Sequence, residues 1–228
     1  MIIDHHPGDL PGSALDAHVA PVGPPPHDRG LLRLNMITSA DGASALAGRS
    51  GGLGGPADRA VFTALRAAAD VVLVGLNTAL AERYRDPGPD GPELCIVTSR
   101  PARALALSVV ASGAATLVVP EDVGPLGPGV RAHRVGTGGR VDLAGFLVDR
   151  VGKVVLCEGG PTLAGNLLAL GLLDEYFLTV APRLLAGTSP RVVSGPYADQ
   201  GLWTLLGGFS DAEGYLFLRY ARPPGPTA

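Results

Sequence analysis

Short apolar runs alternate with amphipathic segments along most of the chain. Strand-like runs rich in β-branched residues are residues 31–37, 70–75, 94–98, 115–119, 130–135 and 153–157. Apolar residues at helical spacing predict helices over residues 57–69, 77–81, 142–150 and 162–171. Strands that alternate with helices in this way are typical of a wound α/β domain with a mainly parallel sheet, covered on both faces.

The last third of the chain has a different pattern. Strand-like runs at 175–181, 202–206 and 215–220 follow one another without a helix-length segment between them. Polar and glycine residues at 210–214 predict a turn that joins the last two runs as a hairpin. The expected fold class is therefore α/β, with a mostly parallel mixed sheet and a C-terminal antiparallel hairpin.

Proline and glycine mark the two ends of the chain. Residues 1–29 are rich in Pro, Gly and His, and residues 21–26 contain too much proline for regular structure. Residues 222–226 have the same character. We predict an N-terminal arm over 1–30, one domain over 31–221 and a tail over 222–228.

Composition excludes several classes of protein. The formal charge is −3 and there is no basic run, so nucleic acid is not an expected partner. No apolar run approaches the roughly 18 residues of a membrane span, and the first thirty residues lack the apolar core of a secretion signal. We therefore expect a cytoplasmic protein without a membrane partner.

Cysteine, histidine and lysine usage restricts the chemistry further. Cys95 and Cys157 lie in separate apolar runs without metal-ligand spacing, and the histidines are scattered, so no metal site is expected. Lys153 is the only lysine. Contacts to a phosphate must therefore come from arginine, backbone amides or hydroxyl groups.

The stretch LCEGGPTL at residues 156–163 is the strongest candidate for a ligand site. Glu158 ends an apolar strand, Gly159 and Gly160 leave the backbone open, and Pro161 begins a helix with free amides. Helix N-termini bind phosphate groups, so a pyrophosphate is a suitable ligand. The alternative is an ordinary turn with a glutamate that faces water.

Two more loops follow strands and have unusual composition. Residues 75–78 end in capping residues with Glu82 one turn later, although Thr78 is also explained as a simple helix cap. The loop at 38–55 is long and rich in glycine, and loops of this length are often functional. Motifs for serine hydrolases, zinc proteases and P-loop proteins are absent. The residues alone indicate an α/β domain that binds a phosphate-bearing ligand.

Four blocks of the sequence together resemble a known family. RLNMITSADGASALAGRSGGLGG, FTALRAAADVVLVGLNTALAERY, LCIVTSR and VLCEGGPTLAGNLLALGLLDEYFLTVAPRLLAG occur in the order seen in the bacterial deaminase-reductase C-terminal domain family. That family contains the pyrimidine reductases of riboflavin biosynthesis. The sequence is most similar to stand-alone actinobacterial members. The resemblance implies a three-layer dihydrofolate-reductase-like fold, NADPH as cofactor and a homodimer.

The implied activity is reduction of the ribosyl group of 5-amino-6-(5-phosphoribosylamino)uracil to ribityl by hydride transfer. Asn35 stands where riboflavin-pathway members often have lysine, which leaves the exact substrate open. Two alternatives therefore remain: a reductase of dihydrofolate or another pteridine, and a protein that binds NADPH as a sensor or scaffold without catalysis. The family's deaminase zinc motifs are absent, so deaminase activity is not expected.

The resemblance also assigns roles to individual residues. Expected cofactor contacts are Ile37, Gly52, Thr78, Glu82, Ser99, Arg100, Gly159, Gly160, Pro161, Thr162, Leu163, Ala164, Gly165 and Asn166. Ser99 and Arg100 are similar to residues that select the 2′-phosphate of NADPH.

Expected substrate contacts are Asn35, Ser50, Arg66 and Glu158. Arg66 suits the phosphate of a phosphorylated pyrimidine because its guanidinium binds two oxygens at once. Glu158 and Asp41 are the candidates to manage the proton, on the expectation that partial burial raises the pKa of the carboxyl group. Asp41 alternatively caps the turn at Asp41-Gly42.

Overall fold

A computed structural model describes residues 4–5, 12–20, 26, 28–196, 198–199 and 201–222. The proline-rich segment predicted to lack regular structure, residues 21–26, lies outside the described residues except for Pro26. The predicted tail lies outside them except for Arg222. No described helix is long and apolar enough to span a membrane.

Ten strands form one sheet within the described residues. The strands are β1 (Asp4–His5), β2 (Leu31–Ser39), β3 (Val71–Gly75), β4 (Glu93–Val97), β5 (Ala115–Val119), β6 (Arg131–Arg134), β7 (Val154–Cys157), β8 (Glu175–Ala181), β9 (Thr204–Ser210) and β10 (Leu216–Ala221). The helices are α1 (Gly12–Val19), α2 (Pro56–Ala67), α3 (Leu76–Ala81), α4 (Ser108–Ala111), α5 (Leu143–Val148) and α6 (Pro161–Ala169). A 3-10 helix over Pro101–Ala106 precedes α4.

The strand order is β1-β9-β10-β8-β2-β7-β3-β4-β5-β6. All pairs from β8 to β6 are parallel, whereas β10 is antiparallel to both β8 and β9. The predicted mixed α/β sheet with a C-terminal antiparallel hairpin is confirmed. Because β7 enters the sheet between β2 and β3, the chain reverses its order there. Ligands of wound sheets bind at such a reversal, beyond the carboxyl ends of the strands.

The hairpin strand β9 continues four residues beyond its predicted end at residue 206. Glycine usually weakens a strand, but a side chain on Gly208 would lie 2.8 Å from the carbonyl oxygen of Phe217 on β10. The glycine is therefore what permits close pairing. Asp211 then accepts hydrogen bonds from the amides of Glu213 and Tyr215, which closes the predicted turn.

Two apolar cores cover the two faces of the sheet. On one face, α2 packs Val61 and Leu65 against a core that includes Leu156 and Phe177. On the other, α5 and α6 pack against a core that includes Leu34 and Phe146. These layers hold the carboxyl ends of β2, β3, β4 and β7 in fixed relative positions.

Helix α1 lies within the predicted N-terminal arm, ahead of the proline-rich residues 21–26, and the sequence analysis did not predict it. Its last carbonyl groups accept hydrogen bonds from two buried arginines: Val19 O from Arg33 Nη1 at 3.0 Å and His18 O from Arg219 Nη1 at 2.9 Å. Both guanidinium groups also contact the buried carboxylate of Glu175. The negative end of the helix dipole thus compensates buried positive charge, a long-range contact that no local pattern reveals.

His18 makes the docking of α1 sensitive to pH. Its ring packs edge-on against Phe177 and Phe209. Burial, with a smaller contribution from the charge of Arg219, lowers the pKa of His18 from 6.5 to about 4. Its contribution to stability is fully present above pH 6.5 and is lost as the pH falls through about 4.

We predict that protein with His18→Leu loses less stability than the wild type between pH 7 and about pH 4.5. The difference between the two proteins should be about 2 to 3 kcal/mol, because charging the buried imidazole costs about 1.4 kcal/mol per pKa unit. Urea unfolding at the two pH values measures it. Equal acid sensitivity in both proteins would contradict this role for His18.

Candidate functional site

A cleft of about 980 Å³ opens beyond the carboxyl ends of β3, β4 and β7. Three of its walls are the turn from β3 into α3, the turn after β4 and the first turn of α6. The predicted cofactor residues that line it are Thr78, Ser99, Arg100, Gly160, Pro161, Thr162, Leu163 and Asn166. Residues that are far apart in sequence but predicted to bind one ligand therefore share one cavity.

The turn between β7 and α6 leaves no room for side chains. Gly159 has a φ of +85°, and a Cβ there would lie 2.9 Å from Met36 Sδ. A Cβ on Gly160 would lie 2.4 Å from Thr78 Oγ1. The carbonyl of Gly159 accepts a hydrogen bond from the amide of Gly75 at 2.7 Å, which ties this turn to the end of β3. The glycines therefore bring the two strand exits together at the floor of the cleft.

Helix α6 begins at this turn. Gly160 caps the helix without a side-chain hydrogen bond, and Pro161 occupies the first helical position. The next amides, those of Thr162 and Leu163, have no partner within the helix and lie at the cleft wall. Unpaired amides at the positive end of a helix dipole attract an anionic group.

Part of the cleft lining is basic. Arg100, Arg103 and Arg140 line it and are exposed. Thr98 Oγ1 accepts the amide of Arg100 at 2.9 Å, and Arg103 Nη1 donates to Asn77 Oδ1 at 3.3 Å. Only Arg100 was predicted. Arg103 follows it in the 3-10 helix after β4, whereas Arg140 follows β6.

The other predicted cofactor residues lie outside the cleft lining. Ala164 is fully buried in the core. A side chain on Gly165 would lie 2.2 Å from the carbonyl oxygen of Ser194, so this glycine serves a contact within the protein. Both residues face the protein interior, and the cofactor contacts predicted for Ala164 and Gly165 stay predictions. Ile37 pairs with Thr179 across β2 and β8, and Gly52 lies beside Leu46.

Glu158 and Arg66, both predicted to contact substrate, bind each other. Arg66 Nε and Nη2 donate to the two carboxylate oxygens of Glu158 at 2.6 and 2.7 Å. Tyr84 adds a hydrogen bond of 2.5 Å from its hydroxyl to Glu158 Oε2. Burial and, to a smaller extent, the negative charge of Glu158 raise the pKa of Tyr84. The tyrosine therefore stays protonated and donates.

A second polar pair joins the loop before α2 to the end of α3. Glu82 Oε1 accepts hydrogen bonds from the amide of Ser50 at 2.7 Å and from its hydroxyl at 3.0 Å. The predicted cofactor residue Glu82 and the predicted substrate residue Ser50 are thus direct partners. Asn35 is half-buried on β2 and shares the Ile37 face of the sheet, since alternate strand residues point to the same side.

Asp41 does not have the environment of a proton donor. Its Oδ2 accepts the amides of Leu185 and Ala186 at 3.0 and 2.7 Å, and its Oδ1 accepts the hydroxyl of Ser39. These hydrogen bonds, and above all the one from Ser39, lower the pKa of Asp41. The expectation that burial raises this pKa is wrong, because the carboxylate is exposed and fully supplied with donors.

Asp41 instead anchors residues 182–195, which we name the strap. Ser44 N and Oγ donate to Pro190 O at 3.0 and 2.8 Å, and Ser194 N donates to Pro161 O at 3.0 Å. Pro190 and Ser194 both line the cleft. The strap therefore links the loop after β2 to the start of α6.

Asp58 is a further polar residue, outside the cleft lining, that the predictions did not include. It lies in the first turn of α2, and its carboxylate hydrogen-bonds to Thr179, the strand partner of Ile37. Burial raises the pKa of Asp58. In the sequence it resembles an ordinary acidic residue at a helix N-terminus, so only the packing against β8 distinguishes it.

Comparison with known proteins identifies relatives over most of the chain. The model of the RibD C-terminal domain family matches residues 31–217. The 2,5-diamino-6-ribosylamino-4(3H)-pyrimidinone 5′-phosphate reductase of Methanothermobacter thermautotrophicus is 31% identical over 190 residues, which cover 75% of this chain and 87% of that protein. The riboflavin biosynthesis protein RibD of Mycobacterium tuberculosis is 34% identical over 151 residues, 66% of this chain and 41% of that longer protein. The resemblance noted in the sequence is confirmed.

Solved structures confirm the fold. A pyrimidine reductase-like protein of Corynebacterium diphtheriae has a TM-score of 0.78 at 20% identity, and the match covers 92% of this chain and 99% of that one. The riboflavin biosynthesis reductase of Saccharomyces cerevisiae has a TM-score of 0.69 at 16% identity, with 95% and 100% covered. Dihydrofolate reductase of Enterococcus faecalis has a TM-score of 0.56 at 16% identity, with 86% and 98% covered.

We predict that Asp41→Ala releases the strap without unfolding the domain. The amides of Leu185 and Ala186 lose their acceptor, so both should exchange with deuterium faster than in the wild type, while amides of β3 and β4 keep their protection. Hydrogen exchange followed by mass spectrometry measures this. Unchanged exchange over residues 183–190 would show that Asp41 does not hold the strap.

Proposed function

The chain belongs to the RibD C-terminal domain family, and from this premise we propose that it is a nicotinamide-dependent reductase that converts the ribosyl group of a phosphoribosylaminopyrimidine to ribityl. The observation that carries the proposal is the cleft itself, where a glycine turn, a helix N-terminus and an arginine wall meet. The cytoplasmic location and the homodimer expected from the resemblance stay predictions.

The cleft residues fit a dinucleotide. The glycine turn is a cradle that a Cβ would fill, and the amides of Thr162 and Leu163 suit a diphosphate. Ser99, Arg100 and the neighbouring Arg103 and Arg140 suit the additional 2′-phosphate that distinguishes NADPH from NADH. We therefore propose NADPH as the cofactor. When bound, its reduced nicotinamide supplies a hydride.

The reduction also consumes a proton, and Asp58 is the side chain best suited to donate it. A raised carboxyl pKa increases the protonated fraction near neutral pH, which is the form that a general acid needs. Its hydrogen bond to Thr179 holds the carboxyl group beside the Ile37 face of β2. Asp58 therefore replaces Asp41 as our candidate acid.

Asn35, Ser50 and Arg66 are the proposed substrate contacts. An uncharged Asn35 places no cation against the pyrimidine ring, so ring recognition depends on amide hydrogen bonds. The name of the Methanothermobacter relative gives a 2,5-diaminopyrimidinone as its substrate, whereas the uracil substrate is the one that the sequence resemblance implies. The two rings differ at one exocyclic group, and the side-chain amide of Asn35 can donate to or accept from either.

The purified protein should oxidise NADPH when it is given a phosphoribosylaminopyrimidine. The assay compares the diaminopyrimidinone, the uracil and dihydrofolate, followed by NADPH absorbance. Turnover with dihydrofolate alone would support the pteridine alternative. Binding of NADPH without turnover of any substrate would contradict the proposed reductase and favour the sensor or scaffold.

Arg100→Ala should weaken NADPH binding by about tenfold or more and leave NADH binding nearly unchanged. The reason is loss of a charge-assisted contact of about 1.5 to 3 kcal/mol to the 2′-phosphate alone. Calorimetric titration of both dinucleotides measures the ratio. Arg131→Ala is the matched control, because Arg131 is exposed on the edge strand β6 and does not line the cleft. An equal effect on both dinucleotides would refute a 2′-phosphate site at Arg100.

Asp58→Asn should lower kcat by about a hundredfold or more while the dissociation constant of NADPH stays the same, since an amide cannot donate the proton of a carboxylic acid. Wild-type kcat should fall as the pH rises through the raised pKa of Asp58, and the variant should lack this decline. Asp16→Asn, on the exposed face of α1, is the control. A wild-type pH profile in the Asp58 variant would exclude the role.

A further inference from the structure

Three side chains from separate parts of the fold form a polar cluster at the end of β7. Arg66 comes from the last turn of α2, Tyr84 from the loop after α3, and Glu158 directly follows β7. The Glu158 side chain is 2% exposed and that of Arg66 is 31% exposed. The carboxylate is therefore sealed inside, and the guanidinium reaches the surface.

The carboxylate of Glu158 holds the guanidinium by one edge. The hydrogen bonds at 2.6 and 2.7 Å use Nε and Nη2 of Arg66, and they leave Nη1 for another partner. A guanidinium has five N–H donors in a fixed plane, so an arginine bound along one edge still presents the other edge to an anion. The ion pair does not consume the anion-binding capacity of Arg66.

Two aromatic rings pack near the guanidinium of Arg66 and restrict its movement. The Phe62 ring centroid lies 4.4 Å from Arg66 Cζ, and the Tyr84 ring centroid lies 5.4 Å from it. Tyr84 therefore touches both members of the ion pair: its ring contacts Arg66, and its hydroxyl donates to Glu158 Oε2 at 2.5 Å. Ordering an arginine side chain on ligand binding costs conformational entropy. Because Arg66 is already ordered in the folded protein, a ligand that binds it does not have to supply this cost.

A second arginine, Arg85, lines a small cavity together with Arg66. The cavity has a volume of about 10 Å³, and its other lining residues are Val72, Pro87, Pro92 and Leu94. Its size admits about one water molecule, so a larger anion would bind at its mouth and not within it.

We propose that Tyr84 is a positioning residue that fixes Glu158 and Arg66 so that the outer edge of Arg66 binds the phosphate of the substrate. The inference rests on the proposed function for the identity of that substrate. Without the tyrosine hydroxyl, Glu158 Oε2 keeps only Arg66 as a donor, and the carboxylate can rotate and draw the guanidinium inward. Tyr84 thus controls discrimination between phosphorylated and unphosphorylated ligands.

Ribose 5-phosphate and ribose are the probes, because their binding requires no turnover. Calorimetry should show that Tyr84→Phe, which keeps the ring, binds ribose 5-phosphate about tenfold more weakly than the wild type. Binding of ribose and of NADPH should stay within about twofold. Tyr176→Phe is the matched control, since the buried hydroxyl of Tyr176 has no hydrogen-bond partner in the described part of the chain.

Several results would overturn the inference. The first is a wild-type protein that binds ribose as tightly as ribose 5-phosphate. The second is a Tyr84→Phe variant with the same preference for ribose 5-phosphate as the wild type. The third is a Tyr84→Phe variant in which the binding of NADPH and of ribose 5-phosphate is weakened equally. If Tyr84→Phe does not fold, Phe62→Leu tests the same ordering of Arg66, and an unchanged preference there would also refute it. Failure of the proposed reductase appears separately, as a lack of NADPH oxidation by the wild type.

Discussion

The absence of side chains at Gly159 and Gly160 is the constraint on which the rest of the site depends. A methyl group on either residue would collide with Met36 on β2 or with Thr78 on α3. Without those collisions, the end of β7 fits between the ends of its two neighbouring strands, and the carbonyl of Gly159 accepts the amide of Gly75. The start of α6 is thereby fixed at the mouth of the cleft, where its free amides can receive an anion.

This turn also connects the two halves of the proposed chemistry. Glu158 precedes the glycines and lies in the cluster with Arg66 and Tyr84, whereas Pro161 follows them and begins helix α6 at the cleft. The strap adds a second connection, because it joins the loop of Asp41 to Pro161. In the proposed function, a short segment of chain thus sets the relative position of cofactor and substrate, which is the main requirement of hydride transfer.

The sequence was sufficient to predict the features that depend on local pattern. Apolar runs located the parallel strands, and the glycine-proline signal at 159–161 located the helix start that lines the cleft. A motif cannot tell which of its residues face the protein and which face a ligand, so the burial of Ala164 and the contact of Gly165 with Ser194 are visible only in the fold.

Features that depend on long-range packing could not be predicted. The pairing of Arg66 with Glu158 joins residues 92 positions apart, and the anchoring of the strap by Asp41 joins residues 145 apart. Helix α1 is short, and it is held by the buried charges of Arg33 and Arg219, which look like ordinary strand residues in the sequence. Asp58 becomes a candidate acid only through its burial beside Thr179.

A crystal structure of the protein with NADPH tests the central claim most directly. The account predicts that the diphosphate lies against the amides of Thr162 and Leu163, with the 2′-phosphate beside Arg100 and the backbone of Gly160 in contact with the cofactor. A dinucleotide bound at another part of the surface, or a cleft that excludes it, would contradict the account.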